Sequence, residues 1–238
     1  MPDTAEIEPG WVSHLEELRQ RVIFCIVFFL LAFIVVFIFI EPIVRFLLLP
    51  LSGMPTQLSY FQPWEKFMTC LRVTFTVSLA LTLPAMAVQG ALFLSPGLYP
   101  HEKRWLWGGV AAVPVSFAIG AVFAYIFIVP AAYRFLLGFA PGTPVKAVLG
   151  IGSTLNFVSG LIALAGVIFE LPVVLFALMA IKLVSAKTLG KYRKYAVVVI
   201  ILLAGIATPS PDLVTQILVA LPLYLLFELT LLLGRFIK

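Results

Sequence analysis

Nine residues, Ser13 to Arg21 (SHLEELRQR), hold two carboxylates, two arginines and a histidine in a chain of which only 11% is charged. A carboxylate in such a setting accepts a guanidinium through two parallel N–H···O bonds, because the planar fork of arginine matches its two oxygens. Ser13 and Glu16 have the S-x-x-E spacing of a capping box, which predicts a helix from His14 through about residue 21. On that helix Glu17 and Arg21 share a face, as do His14 and Glu17. The plainer reading is an amphipathic entry turn whose arginines anchor the apolar segment that follows. The chemical reading is a rim carboxylate that recognises an incoming cation.

A second carboxylate, Glu102, stands in SPGLYPHEKR (Ser95 to Arg104). It opens a helix, where the positive end of the dipole favours an anion. Together Glu17 and Glu102 suffice to receive two arginines. The alternative is that Glu102 pairs with Lys103, Arg104 or Arg21 in a surface contact worth little. Glu170 is the sharpest interior residue, about 18 Å along its helix from Lys182 and about 24 Å from Thr154. Burying a charge at that depth against lipid costs on the order of several kcal/mol, so Glu170 is expected to face the bundle interior or a polar cavity. It acts there either as a neutral carboxyl joining helices or as a working polar site. Gln216 and Gln89 are further buried polar residues suited to interhelical hydrogen bonds. Glu228, about two turns before Arg235, and the loop residues Pro50 and Asp212 complete the candidates.

Enzyme chemistry lacks its parts. The two histidines, His14 and His101, both fall at one rim, so no Ser–His pair forms within the apolar segments. H-E-x-x-H, G-x-S-x-G and a phosphate-cradling glycine loop are all missing. No catalysis, no cofactor and no metal site are expected. Cys25 and Cys70 sit in or beside apolar runs with no ligand or disulfide spacing, and read as small hydrophobic residues.

The elements that must position these residues are membrane helices. With 62% hydrophobic residues and a mean hydropathy of +1.12, the chain departs from soluble globules, whose apolar share is about 45–50%. The net charge of +5 sits at the ends of apolar runs, not on a soluble domain, so nucleic acid is not the expected partner. The first residues carry Asp3, Glu6 and Glu8 without a cation, the wrong charge for the start of a signal peptide. A single all-α membrane domain over 1–238 is expected. It has a short N-terminal helix at about 13–21 and six spans at about 22–41, 67–94, 105–135, 154–182, 195–207 and 213–234. Glu41-Pro42 ends the first span, Pro84 kinks the second, and Glu170 with Pro172 interrupts the fourth. Phe39 to Leu51 lies along the outer interface.

Eleven of the sixteen Lys and Arg residues fall on the side that holds Arg19, Lys103 and the basic loop 182–194. The positive-inside rule makes that side cytosolic, with both termini in. The fifth span is short. Its thirteen uncharged residues make about 20 Å of helix, roughly 10 Å less than the hydrocarbon core, which implies a sunken turn or a thinned bilayer.

These motifs resemble the TatC family, the multispanning core of the twin-arginine protein translocase. The resemblance runs along essentially the whole chain. It rests on HLEELRQR, on Phe93 with SPGLYPHEKR, on FELP around Glu170, and on TPSPD followed by Gln216, Pro222 and Phe227-Glu228. One departure is the last outer turn, where Ser210 lengthens the family's Thr-Pro-Pro-Asp. The resemblance implies Sec-independent export of folded cargo, driven by the proton-motive force, across a bacterial inner membrane. It implies that Glu17 and Glu102 accept the two arginines of a signal peptide, with Arg19, Phe93 and Arg104 shaping the site. It also implies contacts of Glu170 with the single-span TatA and TatB subunits, other TatC copies as neighbours, and short fifth and sixth helices. The rival reading is a proton-coupled small-solute transporter using Glu170. It is weakened by the lack of an evident repeat and of polar residues to line a substrate site.

Overall fold

A computed structural model of the chain describes residues 10–53, 57–138, 148–180, 183–207 and 213–234. Helix α1 covers Gly10–Ile38, α2 Ile40–Leu48, α3 Glu65–Leu94 and α4 Pro100–Phe123. A π-helical turn, Ala124–Ile128, joins α4 to α5, Val129–Gly138. Then come α6 (Ile151–Ala180), α7 (Ala186–Lys191), α8 (Arg193–Ala207) and α9 (Leu213–Gly234). Four rods are long and apolar enough to cross a membrane: Val12–Ile38, Glu65–Gly97, Pro100–Gly138 and Ile151–Met179. A shorter apolar helix covers Val219–Leu232. The protein is an all-α membrane protein.

The first helix starts earlier than the capping-box reading predicts. Ser13 is an interior residue of α1, and Glu16 turns forward to Arg19 at 2.7 Å. The entry helix and the first long segment are therefore one rod. The turn before Ser13, Gly10 to Val12, is already helical, so the helix start does not fall at Ser13. Glu41 and Pro42 do not end helical structure either. After Phe39 they occupy the first turn of α2, where proline loses no intrahelical hydrogen bond. Leu47 and Leu51 are buried in the core, so the segment expected along the interface also packs on the bundle. Glu170 and Pro172 lie inside one continuous helix, as does Pro84.

Pro130 has a visible consequence. Its ring cannot accept the carbonyl of residue 126 in an α-turn, and the wider π-turn sits immediately before it. Tyr125 in that turn stacks on Phe46 at 4.6 Å and donates its hydroxyl to the Phe46 carbonyl at 2.7 Å. This fastens α2 to the α4–α5 rod.

The core forms where α3, α4 and α6 meet. Gly120 of α4 lies so close to α6 that a Cβ there would be 2.6 Å from the Ala165 carbonyl. A Cβ on Gly166 would be 2.3 Å from the Phe117 ring. Small residues at a crossing let helix backbones approach, which is the main attraction available between apolar helices in lipid. Thr74, Ser78 and Thr82 are fully buried along one face of α3. Thr74 and Thr82 return their hydroxyls to the carbonyls of Cys70 and Leu79. Helix α1 is peripheral: 6% of its most apolar stretch is buried, and it packs mainly on α3.

Opposite the Glu17 end, a parallel pair clips the bundle together: β1 (Gln57–Ser59) beside β2 (Val148–Gly150), with Gln57 opposite Val148. Glu65, opening α3, accepts the amides of Phe61 at 2.8 Å and Gly152 at 2.9 Å. The sequence reading treats this region as loop and gives Glu65 no role. A contact between residues 87 apart has no local signature.

Candidate functional site

Helix α1 brings Glu17 and Arg21 onto one face, as the four-residue spacing requires. Arg21 donates Nε to Glu17 Oε1 at 3.1 Å and closes a second, shorter bond to the same oxygen through Nη2. Its third contact crosses to α3, where Nη1 donates to Gln89 Oε1 at 3.2 Å. Gln89 thus belongs to the rim cluster rather than to the deep interior. Glu17 Oε2 faces His14 Nδ1 at 3.4 Å. The hydrogen bond from Arg21 holds the Glu17 carboxyl below its usual range, its charge reinforcing the effect against partial burial, with a smaller contribution from His14. Glu17 is therefore ionised at neutral pH.

His14 also stacks on Phe93, with ring centroids 4.1 Å apart and planes within 13°. Phe93 lies in the last turn of α3, so this stack and the Arg21–Gln89 bond fix the entry of α1 against the exit of α3. Arg19 points elsewhere: it is exposed and pairs with Glu16. Arg104 is exposed on the first turns of α4.

Glu102 occupies the third position of α4 and accepts the Tyr99 amide on Oε2 at 3.0 Å. That bond satisfies one of the donors a helix start leaves open. The residue is 9% exposed, and its Oε1 is 3.9 Å from His101 Nε2. Lys103, Arg104 and Arg21 are not its partners. The two rim carboxylates share one design. In each, one oxygen is held by the fold and the other looks toward a histidine.

Glu170 has both oxygens buried with no hydrogen-bond partner. The Ser116 hydroxyl and the Phe117 amide of α4 are turned toward it without closing a bond of normal geometry, and Ser116 donates to the Val113 carbonyl at 3.3 Å. Gln216 donates to the Ile201 carbonyl at 2.8 Å, joining α9 to α8. Glu228 accepts from Arg193 at 2.8 Å and from Tyr224 at 3.0 Å. Pro50 sits in a 3₁₀ turn after α2, and Asp212 lies outside the described residues. Among the described residues no group of His, Cys, Asp and Glu is arranged to hold a metal.

The family model for the Sec-independent protein translocase protein TatC matches residues 13–222. The chain belongs to the TatC family. The Sec-independent protein translocase protein TatC of Carboxydothermus hydrogenoformans is 32% identical over 226 residues, covering 95% of this chain and 93% of that protein. That of Magnetococcus marinus is 36% identical over 230 residues, with 95% and 84% covered. Among solved structures, the twin arginine translocase receptor TatC crystallised in DDM superposes with a TM-score of 0.84 at 32% identity. It covers 93% of this chain and 99% of its own. TatC membership makes the chain a protein translocase component, not an enzyme, and does not favour the solute-transporter reading.

Proposed function

We propose that this TatC protein is the membrane receptor for twin-arginine signal peptides. The observation that supports it is the pair of rim carboxylates, Glu17 and Glu102, on different helices at one end of the bundle. Each has one oxygen held by the fold and a second approached only by a neighbouring histidine, His14 at 3.4 Å and His101 at 3.9 Å. A peptide arginine approaching Glu17 competes with His14 for Oε2 and with Arg21 for Oε1. At Glu102 a second arginine meets Oε1 while the Tyr99 amide keeps the carboxylate aimed. The flat His14–Phe93 stack beside Glu17 offers a face over which a guanidinium can lie. Lysine is a poorer ligand at such sites, because an ammonium is a point charge without the planar fork. Arg19 and Arg104, exposed nearby in sequence, shape the approach of the peptide.

In this reading α1, α3, the α4–α5 rod, α6, α8 and α9 are six spans of a bacterial cytoplasmic membrane protein, with both termini and the carboxylate rim cytosolic. The positive-inside count supports that orientation. Glu170 and Gln216 then serve as polar contacts for TatA- and TatB-type single-span subunits. Other TatC copies complete the receptor, and the proton-motive force drives passage of the folded cargo. The test is export in a cell whose own copy is deleted. The Glu17→Ala, Glu102→Ala double variant, inserted at normal levels, is expected to leave a twin-arginine cargo inside. Full export by that variant would overturn the proposal.

A further inference from the structure

We propose a phospholipid headgroup site at the opposite end of the bundle, in the groove between α3 and α6, selective for phosphatidylethanolamine. The groove has a volume of about 440 Å³ and is lined by Phe61, Trp64, Glu65, Arg72, Ser153 and Asn156 among others. Such a volume lies within the roughly 300–1,000 Å³ of small-molecule sites.

Arg72 supplies the first half of the argument. Among the described residues no carboxylate pairs with it, and it is exposed into the groove. Its level in the membrane follows from the helix. The uncharged run from Val73 to Leu94 makes about 33 Å of α-helix, enough to fill a hydrocarbon core of roughly 30 Å. Arg72, directly before that run, falls at the level of lipid phosphates, where a bidentate Arg–phosphate contact forms.

Glu65 supplies the second half. It stands seven residues away on the same helix, about 10 Å along the axis. Each of its oxygens accepts one backbone amide, and a carboxylate has about four acceptor positions. Acceptors therefore remain for a cation. A cation followed by a carboxylate one or two turns outward complements a phosphate followed by an ammonium. Phosphatidylglycerol lacks the ammonium, and the quaternary nitrogen of phosphatidylcholine has no N–H to donate. Asn156 and Ser153 line the wall opposite, where the Asn156 amide can donate to a phosphate oxygen.

The experiment is native mass spectrometry of the full chain in detergent, with equimolar phosphatidylethanolamine, phosphatidylglycerol and phosphatidylcholine. The expected result is retention of phosphatidylethanolamine about fivefold above either competitor. Retention of all three lipids should fall in Arg72→Gln and Asn156→Leu, which lose contacts to the phosphate they share, and the preference itself should disappear in Glu65→Gln, which loses the charge facing the ammonium. The preference should persist in Arg45→Gln, whose guanidinium is already paired with Glu41 at 2.6 Å. Equal retention of the three lipids, a preference for phosphatidylglycerol, or unchanged retention in Arg72→Gln would overturn the site.

Discussion

Adding one methyl group at Gly120 should separate the two helices at the heart of the bundle. A Cβ there would lie 2.6 Å from the Ala165 carbonyl oxygen and 2.7 Å from the Phe169 ring. The ring can swing aside, but the carbonyl belongs to the α6 backbone and cannot. Restoring a contact of 3.4 Å therefore requires α4 and α6 to part by about 0.8 Å, and overpacking of that kind costs about 1–3 kcal/mol. Alanine returns about 1 kcal/mol through its better helix propensity, so Gly120→Ala should lose up to about 2 kcal/mol net. Gly108, on the same helix, has nothing within 4 Å of its virtual Cβ. Gly108→Ala should be neutral or stabilising by up to about 1 kcal/mol. Gly166→Ala should fall between, because its clash is with the movable Phe117 side chain. Thermal unfolding of the purified variants in detergent, followed by tryptophan fluorescence, ranks them. Equal midpoints for Gly120→Ala and Gly108→Ala would refute the close-approach argument.

The remaining predictions concern the two ends. Glu65→Gln, which loses the charge that strengthens both amide bonds, should speed proteolysis near Phe61 and Gly152. An unchanged digestion pattern would remove its clamping role. Gln89→Leu deletes the α3 acceptor of Arg21, so binding of a twin-arginine peptide should weaken several-fold while a free-standing Glu17–Arg21 pair survives. Unchanged binding would leave Gln89 as structural glue. Helix α8 has 15 residues, about 22 Å of length. If that deficit thins the bilayer during transport, inserting one turn should impair export without reducing peptide binding. Normal export from the longer variant would dismiss thinning.

Residue type and spacing reveal the rim because its chemistry is local. Glu17–Arg21 and Glu102 with the Tyr99 amide are contacts within one helical turn, and both carboxylates can be chosen from their motifs alone. The partners arriving from other helices are not legible in that way. Gln89 sits 68 residues from Arg21, and nothing in its neighbourhood distinguishes it from helix glue. The same holds for the His14–Phe93 stack, which selects Phe93 for a reason that only the packing of α1 on α3 supplies. Arg19 and Arg21 look equivalent in HLEELRQR, yet helical geometry sends Arg19 to Glu16 and leaves Arg21 to join the cluster. A signal for the α4–α6 crossing was present: Gly120 and Ala124, four apart, form a small-residue face. The sequence could not name the α6 groups it meets, the Ala165 carbonyl and Phe169. The 3-residue strands fall below any recognisable alternation, since their pairing depends on the helices that bring them together.

The central claim is that the rim reads two guanidinium groups with two carboxylates, and affinity of a purified signal peptide tests it most directly. Measured by fluorescence anisotropy against the full chain in nanodiscs, a twin-arginine peptide should bind at least about tenfold more tightly than its twin-lysine counterpart. That ratio should collapse in both Glu17→Ala and Glu102→Ala. Equal affinity for the two peptides, or a ratio that survives both substitutions, would contradict the account.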